Sequence, residues 1–186
     1  MWEKSQKPSA LSPLPYNHYS GKQAIFDAIV EATAARYEKD TGEISIHMQD
    51  VKQDIHIFTE ITEEALIEKV HQIFRYSLHN KVISRFRRMM TIEQFRSPKL
   101  AELYSARYVE RVVAYHAAIF RSLIAIGEIK DEDPETLAMM YVAPVNTLIG
   151  ICDRQPEKEE ECLKKLDDHV RLFFRTFNIS RGRENK

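Results

Sequence analysis

The chain has 186 residues, of which 44% are hydrophobic and 30% charged, a balance typical of a globular protein with one good core. Its 5 glycines and 7 prolines are few for this length, which disfavours β-sandwiches and barrels and favours long helices. The formal net charge of -1 excludes a general basic surface for nucleic acid, so any such binding must use a local patch.

The first part of the chain contains a predicted arm, one helix and a poorly patterned connection. Residues 1–15 are rich in proline, serine and lysine and are predicted to be mobile. Order is expected from Tyr16, and the capping box Ser20-Gly-Lys-Gln23 starts a helix that ends at Gly42. Between Glu43 and Glu60, apolar and polar residues alternate as in a strand, so an irregular or loosely helical connection is predicted.

The next segments have clear helical spacing. Thr62 starts a helix, and a short basic helix follows around Val82 to Met90. Its arginines are predicted to form a solvated or ion-pairing face (Arg85, Arg87, Arg88). Ser97-Pro98 combines an N-cap residue with proline at the first helical position, and it starts a long helix that ends at Gly127.

The last two helices are strongly apolar on one side. Asp133-Pro134 repeats the same start signal and opens a helix in which Pro144 is expected to produce a kink. The final helix starts near Pro156, with glutamates in its first turns and arginines in its last, an order that complements the helix dipole.

The chain offers little for catalysis. It has no glycine-rich phosphate loop, nucleophile elbow or metal-spaced Cys/His cluster, so no enzyme, catalytic residue, metal or cofactor is predicted. One metal site could be drawn in the connection, but solvated polar residues are the favoured interpretation there (His47, Asp50, Asp54, His56, Glu60). His116 and His169 are interpreted as hydrogen-bonded packing residues.

Cysteine content and the N-terminus indicate the compartment. Cys152 and Cys162 are too few for a disulfide framework or a zinc-ligand set, and both are predicted to be buried in a reducing compartment. No long apolar segment follows Trp2, so neither a signal peptide nor a membrane anchor is expected. The expected location is the cytoplasm.

Three segments carry a resemblance to a known family. The sequence from Tyr16 to Phe26 resembles the end of the recognition helix in TetR-type transcriptional regulators, with its aromatic turn, short polar loop, lysine and apolar helix. Ser84 to Tyr108 is similar to the central effector-domain segment of many Gram-positive members. Asp131 to Phe177, with Ala143-Pro144 and Cys152-Asp153-Arg154, is similar to their last two helices.

The resemblance implies an all-α fold: a TetR-like C-terminal effector-binding and dimerisation domain with a remnant of the helix-turn-helix domain. The boundaries are a disordered arm (1–15), a DNA-binding remnant with connecting helix (16–41), the effector-binding and dimerisation domain (42–179) and a flexible tail (180–186). Tyr16, His18 and Lys22 match family positions that contact DNA phosphates, and Tyr19 matches a core aromatic residue. A lysine at a helix N-terminus suits anion binding.

The segment before Tyr16 departs from the family pattern. The family places two further helices and most of the recognition helix there, and a helix-turn-helix needs both of its helices to read DNA. DNA binding is therefore expected to be impaired or absent in this chain. A natural truncation, a misassigned start and a frameshift all remain open explanations. The alternative function is a helical small-molecule-binding or dimerisation module that does not bind DNA.

Two further sets of residues follow from the resemblance. A pocket for a small, mostly apolar effector is expected between the short basic helix, the long helix and the kinked helix. Its expected lining is aromatic and Met-rich (Phe86, Met89, Met90, Phe95, Tyr104, Tyr108, Tyr115, Met139, Tyr141). A homodimer through the last two helices is also expected. Its expected interface is apolar (Leu148, Ile149, Ile151, Leu163, Leu166, Val170, Phe173, Phe174).

Overall fold

The computed structural model describes residues 20–21, 24–29, 31–33, 39 and 51–178. Within these residues the regular structure is helical, as predicted, and residues 24–29 and 31–33 lie in a first helical segment. The helices that follow are α1 (Val51–Glu60), α2 (Glu63–His79), α3 (Lys81–Glu93), α4 (Pro98–Ser105), a π-turn (Ala106–Glu110), α5 (Arg111–Ala125), α6 (Pro134–Arg154), a 3₁₀ turn (Pro156–Lys158) and α7 (Glu159–Phe177).

Helix α1 corrects the interpretation of the connection. Its residues Val51, Ile55 and Phe58 have helical spacing and pack against the main core, and Asp54 lies on the same face with 0% exposure. The buried carboxylate accepts a hydrogen bond from the Tyr115 hydroxyl at 2.6 Å. Asp54 is therefore a core residue, and its solvated interpretation was wrong. Because Asp54 interrupts the apolar residues on the buried face of α1, the helical spacing of that face was not recognised.

The predicted helix starts at Thr62 and Asp133 are confirmed. The Thr62 hydroxyl accepts from the Ala65 amide at 3.2 Å, and the Asp133 carboxylate accepts from the Thr136 amide at 2.8 Å. Asn80 caps α3 by accepting from the amides of Val82 and Ile83. Each cap satisfies amides that the first helical turn leaves without partners.

The predicted long helix is divided by the π-turn. Helix α4 passes into the π-turn and then into α5, and the segment ends at Gly127, which has a φ of 75°. A π-turn carries one extra residue and shifts the helical hydrogen bonds by one position. The side-chain amide of Asn146 on α6 donates to the carbonyl of Tyr108 inside this turn at 3.2 Å. The irregularity is therefore held by the neighbouring helix.

The helices α5, α6 and α7 form the main layer of the core, with α1 and α2 packed against them. Helix α6 continues past Pro144 and lies between α5 and α7. Three polar contacts join α2 to α7: Glu63 with Arg171, His71 with Asp167, and His79 with Glu159. At the end of the layer, the Lys130 amide donates to the Phe177 carbonyl at 2.8 Å. This bond ties the loop between α5 and α6 to the end of α7.

Candidate functional site

The structure divides the predicted effector pocket into separate places. One apolar cluster forms between α3, α4 and the π-turn, and Phe26 from the first helical segment packs against it. This cluster contains most of the predicted lining (Phe86, Met89, Met90, Tyr104, Tyr108). Arg107 lies over the rings of Phe86 and Tyr108, with its guanidinium carbon 5.7 and 5.8 Å from their centroids. We find these side chains packed against one another.

The remaining predicted pocket residues lie elsewhere. Tyr115 and Tyr141 belong to the core between α5, α6 and α7. Phe95 is 87% exposed in the turn after α3, and Met139 is 50% exposed on α6. Met139 follows the buried Ala138, and adjacent helical residues face directions about 100° apart. The predicted set therefore does not form one pocket, because the sequence pattern did not separate the buried and exposed faces of α6.

A cavity of about 130 Å³ lies where α1, α5, α6 and α7 meet. Of the residues predicted to line the pocket, it contains Tyr141. The cavity lining is mostly apolar and aromatic (Phe58, Thr59, Ile61, Leu66, His116, Ile119, Phe120, Leu123, Glu128, Ile129, Tyr141, Phe173, Phe174, Phe177, Asn178). This cavity was not predicted, because Phe58 lies in the connection without a clear pattern, and Phe173 and Phe174 were assigned to the dimer.

Aromatic rings surround this cavity in edge and tilted contacts. The Tyr141 ring centroid lies 5.0 Å from that of Phe173 and 5.9 Å from that of Phe120. Phe173 also contacts Phe177, with centroids 4.8 Å apart. Such contacts stabilise the wall beyond simple burial of apolar area, because ring edges and faces carry opposite partial charges.

Besides the carboxylate of Glu128, two polar side-chain atoms of the lining have no hydrogen-bond partner within the described part of the chain: Nε2 of His116 and the hydroxyl of Tyr141. No fully enclosed side-chain nitrogen or oxygen among the described residues lacks a partner, so both atoms are accessible. Burial lowers the pKa of His116, partly offset by its bond to the Val112 carbonyl, and burial raises the pKa of Tyr141. Both groups are therefore held neutral near pH 7.

The predicted dimer residues lie mainly inside the chain itself. Leu148, Leu163, Leu166 and Val170 are buried within the chain, so they offer little surface to a partner. The others are partly buried: Ile149 and Ile151 pack against the core around Phe74, and Phe173 and Phe174 line the cavity. The apolar stripes of α6 and α7 pack against α2 and against each other.

Helix α6 keeps a different exposed face. No charged residue occurs in α6 between Glu135 and Asp153, and the exposed positions of this stretch are small or uncharged (Thr136, Met139, Met140, Ala143, Asn146, Thr147). The helix is long and apolar enough to cross a membrane by length and composition alone, a test that core helices also pass. Because Leu137, Tyr141 and Leu148 are buried against other helices, we interpret α6 as a core helix with one uncharged outer face.

The predicted DNA contacts Tyr16, His18 and Lys22 lie outside the described residues, as does His47. Within residues 51–178 and the described parts of the first helical segment, no group of three or more metal-ligand side chains was found. For the basic helix, a solvated face and an ion-pairing face had both been predicted. Arg87 forms an ion pair with Asp153 at 2.8 Å.

Comparison with known proteins agrees with the helical architecture. Residues 64–178, more than half of the chain, match the family model of the AefR-like transcriptional repressor, C-terminal domain. No curated protein matches the sequence. A crystal structure from Mesorhizobium loti MAFF303099, described as a TetR-family transcriptional regulator, has a TM-score of 0.65 and 18% identity, covering 88% of this chain and 79% of that one. The chain thus belongs to the TetR-type transcriptional regulators and carries a C-terminal domain of the AefR-like repressor type.

Proposed function

We propose that the chain is a ligand-responsive, dimeric transcriptional regulator of the cytoplasm, without enzymatic activity. The cavity between α1, α5, α6 and α7 is the observation that carries the ligand response. Mostly apolar pockets with a few well-placed polar groups are typical of small-molecule sites. The effector site is therefore reassigned from the predicted residues to this cavity.

Contacts between the cavity helix α5 and the first helical segment offer a route for the signal. His116 lines the cavity, and nine residues earlier Arg107 lies in the π-turn. Arg107 donates to the carbonyl of Thr33 at 3.3 Å, and Lys99 on α4 contacts Asp27 at 3.0 Å. These bonds attach the first helical segment, which follows the predicted DNA contacts, to the helix that reaches the cavity.

In this mechanism the ligand shifts a population between two arrangements. A ligand can change the equilibrium only by binding one arrangement more tightly than the other. We propose that filling the cavity favours one position of α5. A shift of α5 would then move the first helical segment through its hydrogen bonds with Arg107 and Lys99. The domain boundary near residue 42 is part of this proposal.

Thermal unfolding with a panel of small apolar compounds tests the ligand response. A compound that binds the folded state raises Tm with increasing concentration. The variant Leu66→Trp places a larger ring in the cavity wall and should abolish this rise, whereas Leu103→Trp makes the same change in the α3–α4 cluster and should keep it. If no compound raises Tm, or if Leu66→Trp responds like the unaltered chain, the cavity is not the effector site.

The dimer is proposed through the uncharged outer face of α6, in place of the buried residues first assigned to it. A two-fold pair of such faces would bury uncharged surface of both copies, as closed symmetric dimers do. Size-exclusion chromatography with light scattering measures the mass directly. A monomer at micromolar concentration would remove this part of the proposal.

DNA binding has a direct test. Fluorescence polarisation with DNA flanking its own gene, at several salt concentrations, tests this because specific and non-specific binding differ in affinity at a given salt. Tight sequence-specific binding would contradict the expectation. The second candidate function, a ligand-binding or dimerisation module that does not bind DNA, requires a dimer or a ligand but no operator.

A further inference from the structure

The size of the cavity limits the ligand to a small molecule. Its volume is about 130 Å³. An apolar protein cavity of about 150 Å³ binds benzene, so this space suits one six-membered ring. The ring contacts of Phe120, Tyr141 and Phe173 provide edges and faces against which a ligand ring can pack.

The hydrogen bonding of His116 fixes the polar character of the site. Its Nδ1 lies 2.8 Å from the Val112 carbonyl, which can only accept, so Nδ1 carries the proton. In a neutral ring Nε2 is then an acceptor. The ring centroids of His116 and Tyr141 are 5.3 Å apart, and both residues line the cavity.

The charge of the lining selects against anions. Glu128 is the one formally charged residue that lines the cavity among the residues described there, and neither arginine nor lysine occurs in that lining. A carboxylate ligand would lose its hydration without gaining a cation, which is costly in an apolar site. A phenol stays neutral at pH 7, because its pKa resembles the value of about 10 of tyrosine.

We infer that the cavity binds a neutral single-ring phenol, whose hydroxyl donates to Nε2 of His116 while the Tyr141 hydroxyl donates to the phenol oxygen. This inference rests on the proposed effector function and names the ligand class of that same site. It changes the interpretation of His116 from a packing residue to a ligand-binding residue.

Isothermal titration with phenol, toluene and benzoate on the unaltered chain tests the ligand class. Toluene has nearly the shape of phenol and is more hydrophobic, so without a hydrogen bond it should bind at least as well. We expect phenol to bind about tenfold more tightly than toluene, the gain of one well-made hydrogen bond, and benzoate to show no binding. Equal affinities for phenol and toluene, or measurable benzoate binding, would overturn the inference.

Variants of the histidine separate this inference from the proposed function. His116→Phe keeps a ring but removes the acceptor and should reduce phenol affinity about tenfold while leaving toluene unchanged. The control is His79→Phe, which alters an exposed histidine outside the cavity. Should His116→Phe fail to fold, the phenol–toluene comparison decides alone. If phenol does not bind, but another compound of the panel raises Tm and Leu66→Trp abolishes that rise, the ligand class is wrong and the effector function stands. If no compound binds, the ligand class and the effector function are both wrong.

Discussion

Arg87 shows how one side chain can join three helices. Its Nε and Nη2 donate to the two carboxylate oxygens of Asp153 on α6, each at 2.8 Å, and its Nη1 donates to the Ser77 carbonyl on α2, also at 2.8 Å. The planar guanidinium matches a carboxylate in this two-bond arrangement, which lysine cannot reproduce. A residue from the predicted basic face thus fixes α3 against both neighbouring helices.

Replacing Arg87 by alanine should lower the free energy of unfolding by about 3 kcal/mol, because Asp153 stays largely buried and loses its main partner. The control is Arg88→Ala. Arg88 is 48% exposed and approaches Asp153 only at 4.0 Å, so its loss should cost less than about 1 kcal/mol. Urea unfolding of both variants provides the comparison, and similar costs for the two would contradict the assignment.

Two buried tyrosine hydroxyls and one buried thiol are expected to make the folded protein less stable at alkaline pH. Burial raises the pKa of Tyr115 and Tyr141 above 10.0, and for Tyr115 the hydrogen bond to Asp54 adds to it. Burial, with the neighbouring Cys162, raises the pKa of Cys152 from 9.0 to about 12. A group whose pKa is higher in the folded state than in the unfolded state stabilises the fold. Its contribution is complete below the unfolded pKa and is lost as pH rises from that value through the folded pKa.

The free energy of unfolding should therefore fall steadily once pH exceeds 9.0, and more steeply beyond 10.0. Denaturant titrations from neutral to strongly alkaline pH measure this slope. Tyr115→Phe removes one of the three protons, so its slope above the unfolded tyrosine pKa should be shallower than that of the unaltered chain. A stability that is constant across this range would show that these groups are not buried in the folded protein.

At the scale of elements, start signals predicted the helices well and internal irregularities poorly. Ser97-Pro98 and Asp133-Pro134 correctly placed the starts of α4 and α6. The sequence pattern did not predict the π-turn, a one-residue shift of the helical hydrogen bonds at which Asn146 on another helix donates to the Tyr108 carbonyl. Helix α1 was missed because its buried face carries the polar residue Asp54, whose hydrogen-bond partner Tyr115 lies far along the chain.

The two proline starts differ in their capping bonds, which gives a matched pair of variants. The Asp133 carboxylate accepts from the Thr136 amide, whereas Ser97 makes no side-chain cap bond. Asp133→Ala should lower the unfolding free energy by about 1 kcal/mol, and Ser97→Ala by a few tenths at most, about the noise of such measurements. Thermal or urea unfolding distinguishes the two, and a larger effect at Ser97 would refute this difference.

For the whole molecule, the dimer proposal makes a prediction about charge. Met139→Lys places a cation in the uncharged face of α6 and should shift the protein toward monomer, because a buried unpaired charge opposes association. Ile92→Lys makes a similar change at an exposed residue of α3 and should leave the dimer intact. Analytical ultracentrifugation of both variants reads out the result, and dimers of equal strength would exclude this face as the interface.

The site was harder to predict than the fold for a physical reason. Helical periodicity identifies which residues are buried, but a core position and a cavity position have the same apolar composition. Phe173 therefore fitted an interface, a core and a cavity wall equally well until the positions of α1 and α5 were known. The role of His116 could not be predicted from the sequence. It depends on which of its ring nitrogens forms the hydrogen bond to the Val112 carbonyl of the same helix and which is left to face the cavity.

The aromatic wall that α7 contributes to the cavity has a consequence for protein synthesis. The wall formed by Phe173, Phe174 and Phe177 is translated last, after every other helix that surrounds the cavity. Chains grow at about 5–20 residues per second, so the earlier helices can begin to associate before that wall exists. A ligand can therefore meet the complete cavity only in chains in which α7 has been synthesised and has packed against the other helices.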